Sequence, residues 1–198
     1  MRPDAQWNKE VILNSLQVIE EESDRLTSLI DDLLTASRIQ AERGVQLQLS
    51  DVSLDHMAAN AVERLQLQTD KHRFTVSFPS DFPSVQGDAK LLRQVIENLI
   101  TNAIKYSPQG GTITVGGRAT DEDVTFFVRD EGVGIPEREL SRVFSRFYRV
   151  DNKWAATTKG TGLGLYLAKA IIEAHGGTIN VKSQVNQGST FFFTIPRD

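Results

Sequence analysis

Glu97-Asn98-Leu99-Ile100-Thr101-Asn102-Ala103-Ile104-Lys105-Tyr106-Ser107-Pro108 is the stretch on which the fold turns. With the residues before it, it forms the end of a helix expected to run from an Asp88 cap through Lys105. Leu91, Leu92, Val95, Ile96, Leu99, Ile100, Ala103 and Ile104 give that helix a broad apolar face. Asn98, Asn102 and Lys105 fall at i, i+4 and i+7, so they share one polar stripe. A solvated face is the plain alternative. Asn, however, is a mediocre helix former, and Lys or Glu would serve an ordinary surface better. Two amides and an ammonium instead offer neutral oxygens for a hard cation and a point charge for a phosphate.

Two glycine-bearing stretches follow. Asp130-Glu131-Gly132-Val133-Gly134-Ile135 comes directly after an expected strand. A strand-end carboxylate can accept from an amino group, and glycines behind it let a ligand approach the backbone. A tight strand-to-helix turn is the equal alternative. Gly160-Thr161-Gly162-Leu163-Gly164-Leu165 leads into a helix, whose N-terminus favours an anion. It is not a P-loop, because no Gly-Lys-Ser/Thr follows, and its spacing does not suit a dinucleotide fingerprint. Residues 137–159 hold six basic side chains, Arg138, Arg142, Arg146, Arg149, Lys153 and Lys159, against three acidic ones. Such a loop can close over a triphosphate as a lid.

Around these stretches the chain divides into two halves. Residues 1–43 hold five basic and nine acidic side chains and no glycine, whereas 12 of the 14 glycines lie after position 109. The first segment reads as helix and the second as strands, turns and loops. Ile12, Leu16, Ile19, Ser23, Leu26, Ile30, Leu33 and Ser37 alternate in spacings of four and three. That is a heptad seam, predicting a rod of roughly 60 Å that packs against other helices, those of a second copy of the chain above all. The alternative is a helix lying across its own domain.

Strands are expected at Val45–Leu49, Arg73–Phe78, Val85–Gly87, Thr112–Arg118, Val124–Asp130, Thr178–Ser183 and Thr190–Ile195. Further helices are expected at Leu54–Gln68, from Pro136 to Phe144, and at Leu163–Ala174, with Val150–Lys159 as a loop. Helices mixed with mostly antiparallel strands predict an α+β fold, a two-layer α/β sandwich preceded by a long N-terminal helix. The chain has no Cys, so disulfides and thiolate chemistry are excluded. A sequence pI near 5.5 argues against a nucleic-acid binder, and no apolar run is long enough for a membrane helix.

The order of the pieces is specific. Glu97–Pro108 looks like the N box of sensor histidine kinases, and Asp130–Ile135 resembles their first glycine box. Phe144-Ser145-Arg146-Phe147-Tyr148-Arg149 resembles the F box, Gly160–Leu165 the second glycine box, and Gly188-Ser189-Thr190 the terminal Gly-Thr element. Residues 45–198 thus resemble the ATP-binding catalytic domain of the GHKL superfamily, the Bergerat fold. Ser23–Arg43 also looks like the second helix of the dimerisation and phosphoacceptor hairpin, so residues 1–43 are expected to be a hairpin helix lacking the His box.

That resemblance implies a set of roles. Asp130 would take the adenine amino group, with Gly132, Gly134 and Ile135 beside the base. Asn102 would hold Mg²⁺ bridging the phosphates, with Asn98 in support. Lys105 would approach the phosphates and Tyr106 the adenine or ribose. Gly160, Thr161, Gly162, Leu163, Gly164 and Leu165 would wrap the phosphates. Arg146 or Arg149 would offset γ-phosphoryl charge, and Thr190 would lie near the base. ATP and Mg²⁺ are the implied cofactors. The implied partners are a second copy of the chain and a response-regulator receiver domain, in the cytoplasm.

One substitution bears on the reaction. In the resembled ATP-hydrolysing members, the residue four before the metal-binding Asn is a Glu that activates water. Asn98 stands there, and Glu97 points about 100° away on a helix. Transfer to another nucleophile is therefore expected over hydrolysis. The family's His box is missing, for His56, His72 and His175 all lie outside such a motif. The chain is accordingly expected to begin after that box, with Met1 an added start, and not to autophosphorylate alone. The other readings are a nucleotide-dependent interaction module and a GHKL ATPase.

Overall fold

The structure, a computed structural model, describes residues 9–40, 47–150 and 161–197. Helix α1 spans Lys9–Gln40. The rest runs β1 (Leu49–Val52), α2 (Leu54–Gln66), β2 (His72–Ser77), β3 (Val85–Asp88), α3 (Ala89–Lys105), β4 (Gly111–Ala119) and β5 (Asp123–Arg129). A short 3₁₀ turn (Glu137–Glu139), α4 (Gly164–Ala174), β6 (Thr178–Gln184) and β7 (Gly188–Pro196) complete it.

Five strands form one sheet in the order β2-β4-β5-β7-β6, and β1 pairs with β3 in a small second sheet. β2 lies parallel to β4, and the other pairs are antiparallel. α2, α3 and α4 cover one face of the large sheet. This is the two-layer α+β arrangement expected from the sequence.

Alternation along each strand explains the layering. Ile113 and Val115 of β4, Val124, Phe126 and Val128 of β5, and Phe191, Phe193 and Ile195 of β7 all face inward and are buried. They meet Leu92, Val95, Ile96, Leu99, Ile100 and Ala103, the apolar face of α3. Phe126 and Phe193 stack with centroids 5.1 Å apart. Truncating either to Ala removes a fully buried ring, at a cost of about 3–5 kcal/mol.

α3 starts where the sequence places it. Asp88 caps it by accepting from the Lys90 and Leu91 backbone N–H groups at 3.0 and 3.1 Å, and also from Gln48 N at 3.0 Å. His175, at the end of α4, accepts the Asp88 N–H through Nε2 at 2.9 Å and contacts Ile171 O through Nδ1. One imidazole thereby ties the start of α3 to the end of α4.

Two local expectations are corrected. The first strand is Leu49–Val52; of the expected Val45–Leu49, Leu47 and Gln48 lie outside it, and Val45 and Gln46 fall outside the described residues. The strand forms there because β3 supplies its partners, from Leu49 opposite Asp88 to Val52 opposite Val85. The helix expected from Pro136 to Phe144 shortens to a 3₁₀ turn followed by irregular turns. Its polar residues are engaged instead in a cluster in which Tyr148 donates to Glu139 and Arg142 lies over the Tyr148 ring at 4.4 Å. The expected Val150–Lys159 loop falls, after Val150, outside the described residues.

In α1 the heptad positions Ile12, Leu16, Ile19, Leu26 and Ile30 are exposed, from 39% to 61%. Within one copy these five positions are therefore uncovered, even though α1 touches α4. Among the described residues, no helix is long and apolar enough to cross a membrane.

Candidate functional site

A cavity opens between α3, the residues after β5, and the start of α4. Its walls include Asn102, Tyr106, Asp130, Gly134, Ile135, Arg149, Leu165, Ser189 and Phe191.

Asp130 stands at the end of β5 and is only 4% exposed. Its Oδ1 accepts from Gly132 N at 2.8 Å and from Ser189 N at 3.2 Å. Among the described residues nothing donates to Oδ2. Burial pushes the carboxyl up to about 6, against the pull of the two backbone N–H groups. A buried carboxylate with one oxygen pinned and the other open to a cavity is set to receive a ligand N–H.

The glycines behind it follow from close packing. A Cβ on Gly132 would fall on Tyr106 O and near Ser107 Oγ, and a Cβ on Gly134 (φ +67°) would fall on Gln184 O. The β6–β7 turn is stitched to this loop by Asn186 N donating to Val133 O at 2.9 Å.

On α3, Asn102 Nδ2 donates to Asn98 Oδ1 at 3.3 Å, which leaves Asn102 Oδ1 for a ligand. Asn98 Nδ2 is buried and makes no hydrogen bond among the described residues. A Cβ on Gly164 would collide with Asn98 Oδ1, so α4 starts hard against α3. Neutral amide oxygens suit Mg²⁺, which takes one or two protein oxygens and draws the rest from phosphates and water. Among the described residues no cluster of His, Cys, Asp or Glu offers a self-contained metal cage. The residues present therefore fit a metal carried with a phosphate ligand. Glu97 faces elsewhere and pairs with Arg64 of α2 at 2.6 Å.

The remaining expected site residues divide. Arg149 lines the cavity, and its side chain hydrogen-bonds Tyr106, whose phenol pKa is raised by burial. Lys105 is not in the wall; its Nζ lies 5.2 Å over the Tyr106 ring. Arg146 stacks on Phe147 at 5.1 Å, outside the cavity. Leu165 lines the cavity, whereas Leu163 is buried beside Leu167. Gly162 (φ +74°) packs against the Phe147 and Tyr148 backbone, and Thr161 Oγ1 accepts from Leu163 N at 3.2 Å. Gly160 lies outside the described residues.

Thr190 is out of phase. Its neighbours Ser189 and Phe191 line the cavity, so strand alternation turns Thr190 to the other face of the sheet. Ser189 is the residue that sequence reading missed. The only signal available was strand parity counted back from the buried Phe191.

Residues 87–198 match the family described as Histidine kinase-, DNA gyrase B-, and HSP90-like ATPase. The chain belongs to this family, as a GHKL catalytic domain of the sensor histidine kinase kind. It is 34% identical to sensor histidine kinase WalK of Bacillus subtilis, over 96% of this chain and 31% of that protein. It is 40% identical to sensor-like histidine kinase SenX3 of Mycolicibacterium smegmatis, over 88% of this chain and 46% of that protein. The chain thus spans less than half the length of these curated relatives. The fold matches full-length ShkA in complex with AMPPNP with a TM-score of 0.80, at 26% identity, covering 92% of this chain and 38% of that one. It also matches Acinetobacter baumannii histidine kinase AdeS with a TM-score of 0.74, at 25% identity, covering 100% of this chain and 87% of that one.

Proposed function

We propose that the cavity binds ATP with Mg²⁺ and that the domain transfers the γ-phosphoryl group to a His on a dimerisation helix. From that His the group passes to an Asp of a response-regulator receiver domain. The observation that supports this reading most is the buried Asp130 carboxylate, with Oδ1 pinned by two N–H groups and Oδ2 open. It suits the 6-amino group of adenine. Ile135 and Phe191 would flank the base, and Tyr106 and Arg149 the ribose and phosphates.

Asn102 Oδ1 would hold the metal, which supplies charge neutralisation across the phosphates when bound. Asn98 Nδ2, buried without a hydrogen bond, would donate to a phosphate oxygen or a metal-bound water. Arg149, in the cavity wall, would offset charge building on the transferring group. Lys105, Arg146 and the Gly160–Leu165 stretch would act around the phosphates, with the basic residues 137–159 closing over them. A His nitrogen would attack the γ-phosphorus as the bond to the β,γ-bridging oxygen breaks, releasing ADP.

Transfer is favoured over hydrolysis because nothing in the Asn98 place can act as a base, and Glu97 is engaged with Arg64. Residues 1–43 would form one helix of the dimerisation hairpin in a cytoplasmic homodimer, since Ile12, Leu16, Ile19, Leu26 and Ile30 of the α1 seam are exposed in one copy. The test combines the chain, Mg²⁺ and γ-labelled ATP with a separate fragment bearing the acceptor helix. Acid-labile, base-stable label on that fragment is expected. Tight ATP binding without transfer would favour an interaction module instead, and fast phosphate release without acceptor would favour an ATPase.

A further inference from the structure

Ser183 lies on β6, outside every motif that singled out the site, yet its hydroxyl sits at the meeting point of three cavity-forming segments. Ser183 Oγ donates to Gly188 O at 2.8 Å. It accepts from Ile135 N at 2.8 Å and contacts Ser189 Oγ at 2.9 Å. Ile135 and Ser189 both line the cavity, and the Ser189 N–H is one of the two that pin Asp130 Oδ1.

A serine hydroxyl has one proton and two lone pairs. The Gly188 carbonyl can only accept, so it takes the Ser183 proton. The Ile135 N–H can only donate, so it takes one lone pair. The contact with Ser189 is left for the second lone pair, which makes Ser189 the donor. The Ser189 proton is thereby turned away from the cavity, and Ser189 Oγ keeps only lone pairs for a ligand. Beside it stands the Asp130 carboxylate, an acceptor when ionised. The wall at this point is all acceptor.

We propose that Ser183 is a positioning residue for base recognition: by holding the Ser189 proton it keeps the cavity selective for a purine with an amino group at position 6 over one with an oxygen there. A 6-oxo group brings lone pairs to a wall of lone pairs, whereas a 6-amino group brings protons. This rests on the reading that the cavity takes adenine nucleotides. Ser183 itself touches no ligand; it acts through Ser189 and Ile135.

The test compares ATP and inosine triphosphate, which differ at that position and at N1, where inosine carries a proton, by titration calorimetry with Mg²⁺ on the full chain, for wild type, Ser183→Ala and Ser183→Thr. In Ser183→Ala the Ser189 hydroxyl is released to donate into the cavity. ATP affinity is then expected to fall about tenfold, the equivalent of one net hydrogen bond, and the ATP-to-inosine triphosphate ratio to shrink by a similar factor. Ser183→Thr keeps a hydroxyl and is expected to restore the ratio. Equal weakening of both nucleotides in Ser183→Ala would reduce Ser183 to a structural residue and overturn the proposal. So would a Ser183→Ala ratio equal to wild type in a well-folded protein. A wild-type chain that binds neither nucleotide would overturn the adenine reading itself, and this inference with it.

Discussion

Asp130 and Ser189 are 59 residues apart in sequence and are joined twice. The Asp130 N–H donates to Ser189 O at 2.9 Å, and the Ser189 N–H donates to Asp130 Oδ1 at 3.2 Å. The first bond continues the β5–β7 ladder past the last registered pair, Arg129 and Thr190. The second turns the end of that ladder into a clamp on a carboxylate. One pair of strands therefore both builds the sheet and aims the group proposed to read the base.

Replacing Asp130 by Asn tests that clamp. Asn keeps an oxygen for the Gly132 and Ser189 N–H groups but presents an amide N–H where Asp130 offers an open oxygen. Adenine nucleotide affinity is expected to fall about 10- to 100-fold, as for loss of a hydrogen bond to a charged group. Calorimetric titration checks the first effect. The same change removes a buried charge, so the unliganded domain at pH 7 is expected to melt higher, not lower.

The raised Asp130 pKa gives two opposite pH effects. Ligand binding needs the ionised carboxylate, so affinity is expected to decline as pH drops through about 6. Folding without ligand goes the other way. Between the ordinary value of 3.8 and about 6 the native carboxyl holds its proton more tightly than the unfolded one. Stability from this group therefore falls as pH rises across that window, by up to about 3 kcal/mol. Denaturant midpoints and nucleotide titrations at pH 5 and pH 7 are expected to move in opposite directions, and the Asn variant should flatten both trends.

Gly164→Ala probes the contact between α3 and α4. Its Cβ would collide with Asn98 Oδ1, which in turn accepts from Asn102. Relief requires moving α4 or turning the Asn98 amide, at a cost of about 1–3 kcal/mol. Nucleotide affinity is expected to drop together with thermal stability. Gly176→Ala is a control for backbone strain, because Gly176 has a positive φ but its Cβ position meets only an ordinary contact with Pro196. It should cost stability and leave affinity intact.

Asp88→Ala separates folding from the site. The carboxylate caps α3 and also accepts from Gln48 N. Loss of the cap alone is expected to cost about 1–2 kcal/mol. Burial pushes the Asp88 pKa up, but the N–H groups of Gln48, Leu91 and Lys90, with His175 nearby, outweigh it and hold the carboxyl below its ordinary 3.8. Its contribution is thus present above that value and fades as pH falls through the lower native pKa. Wild type and variant are expected to differ in melting temperature at pH 7 and to converge in strong acid.

Legibility differed by kind of residue. The α3 apolar face and the Asp88 cap obey local rules of spacing and hydrogen bonding, and the structure places both where those rules put them. The Pro136–Phe144 region did not follow its local pattern. Its Glu139 and Arg142 met Tyr148 in a turn cluster, and that tertiary contact displaced a weak helix. Thr190 stands one position from Ser189 in the cavity wall, because a Gly-Ser-Thr triplet does not say which residue faces inward. Strand parity answers that only once Phe191 is known to be buried.

By itself the sequence determined the apolar faces, the helix cap, the heptad seam and the polar stripe of Asn98 and Asn102, since each depends on neighbours within a few residues. Only the tertiary structure decided which oxygen of Asp130 is open, that Glu97 is held away by Arg64, and that Ser189 belongs to the cavity wall with Ser183 behind it. Those facts depend on groups brought together from distant parts of the chain. Burial and hydrogen-bond valence act on such groups only after the sheet has closed around them.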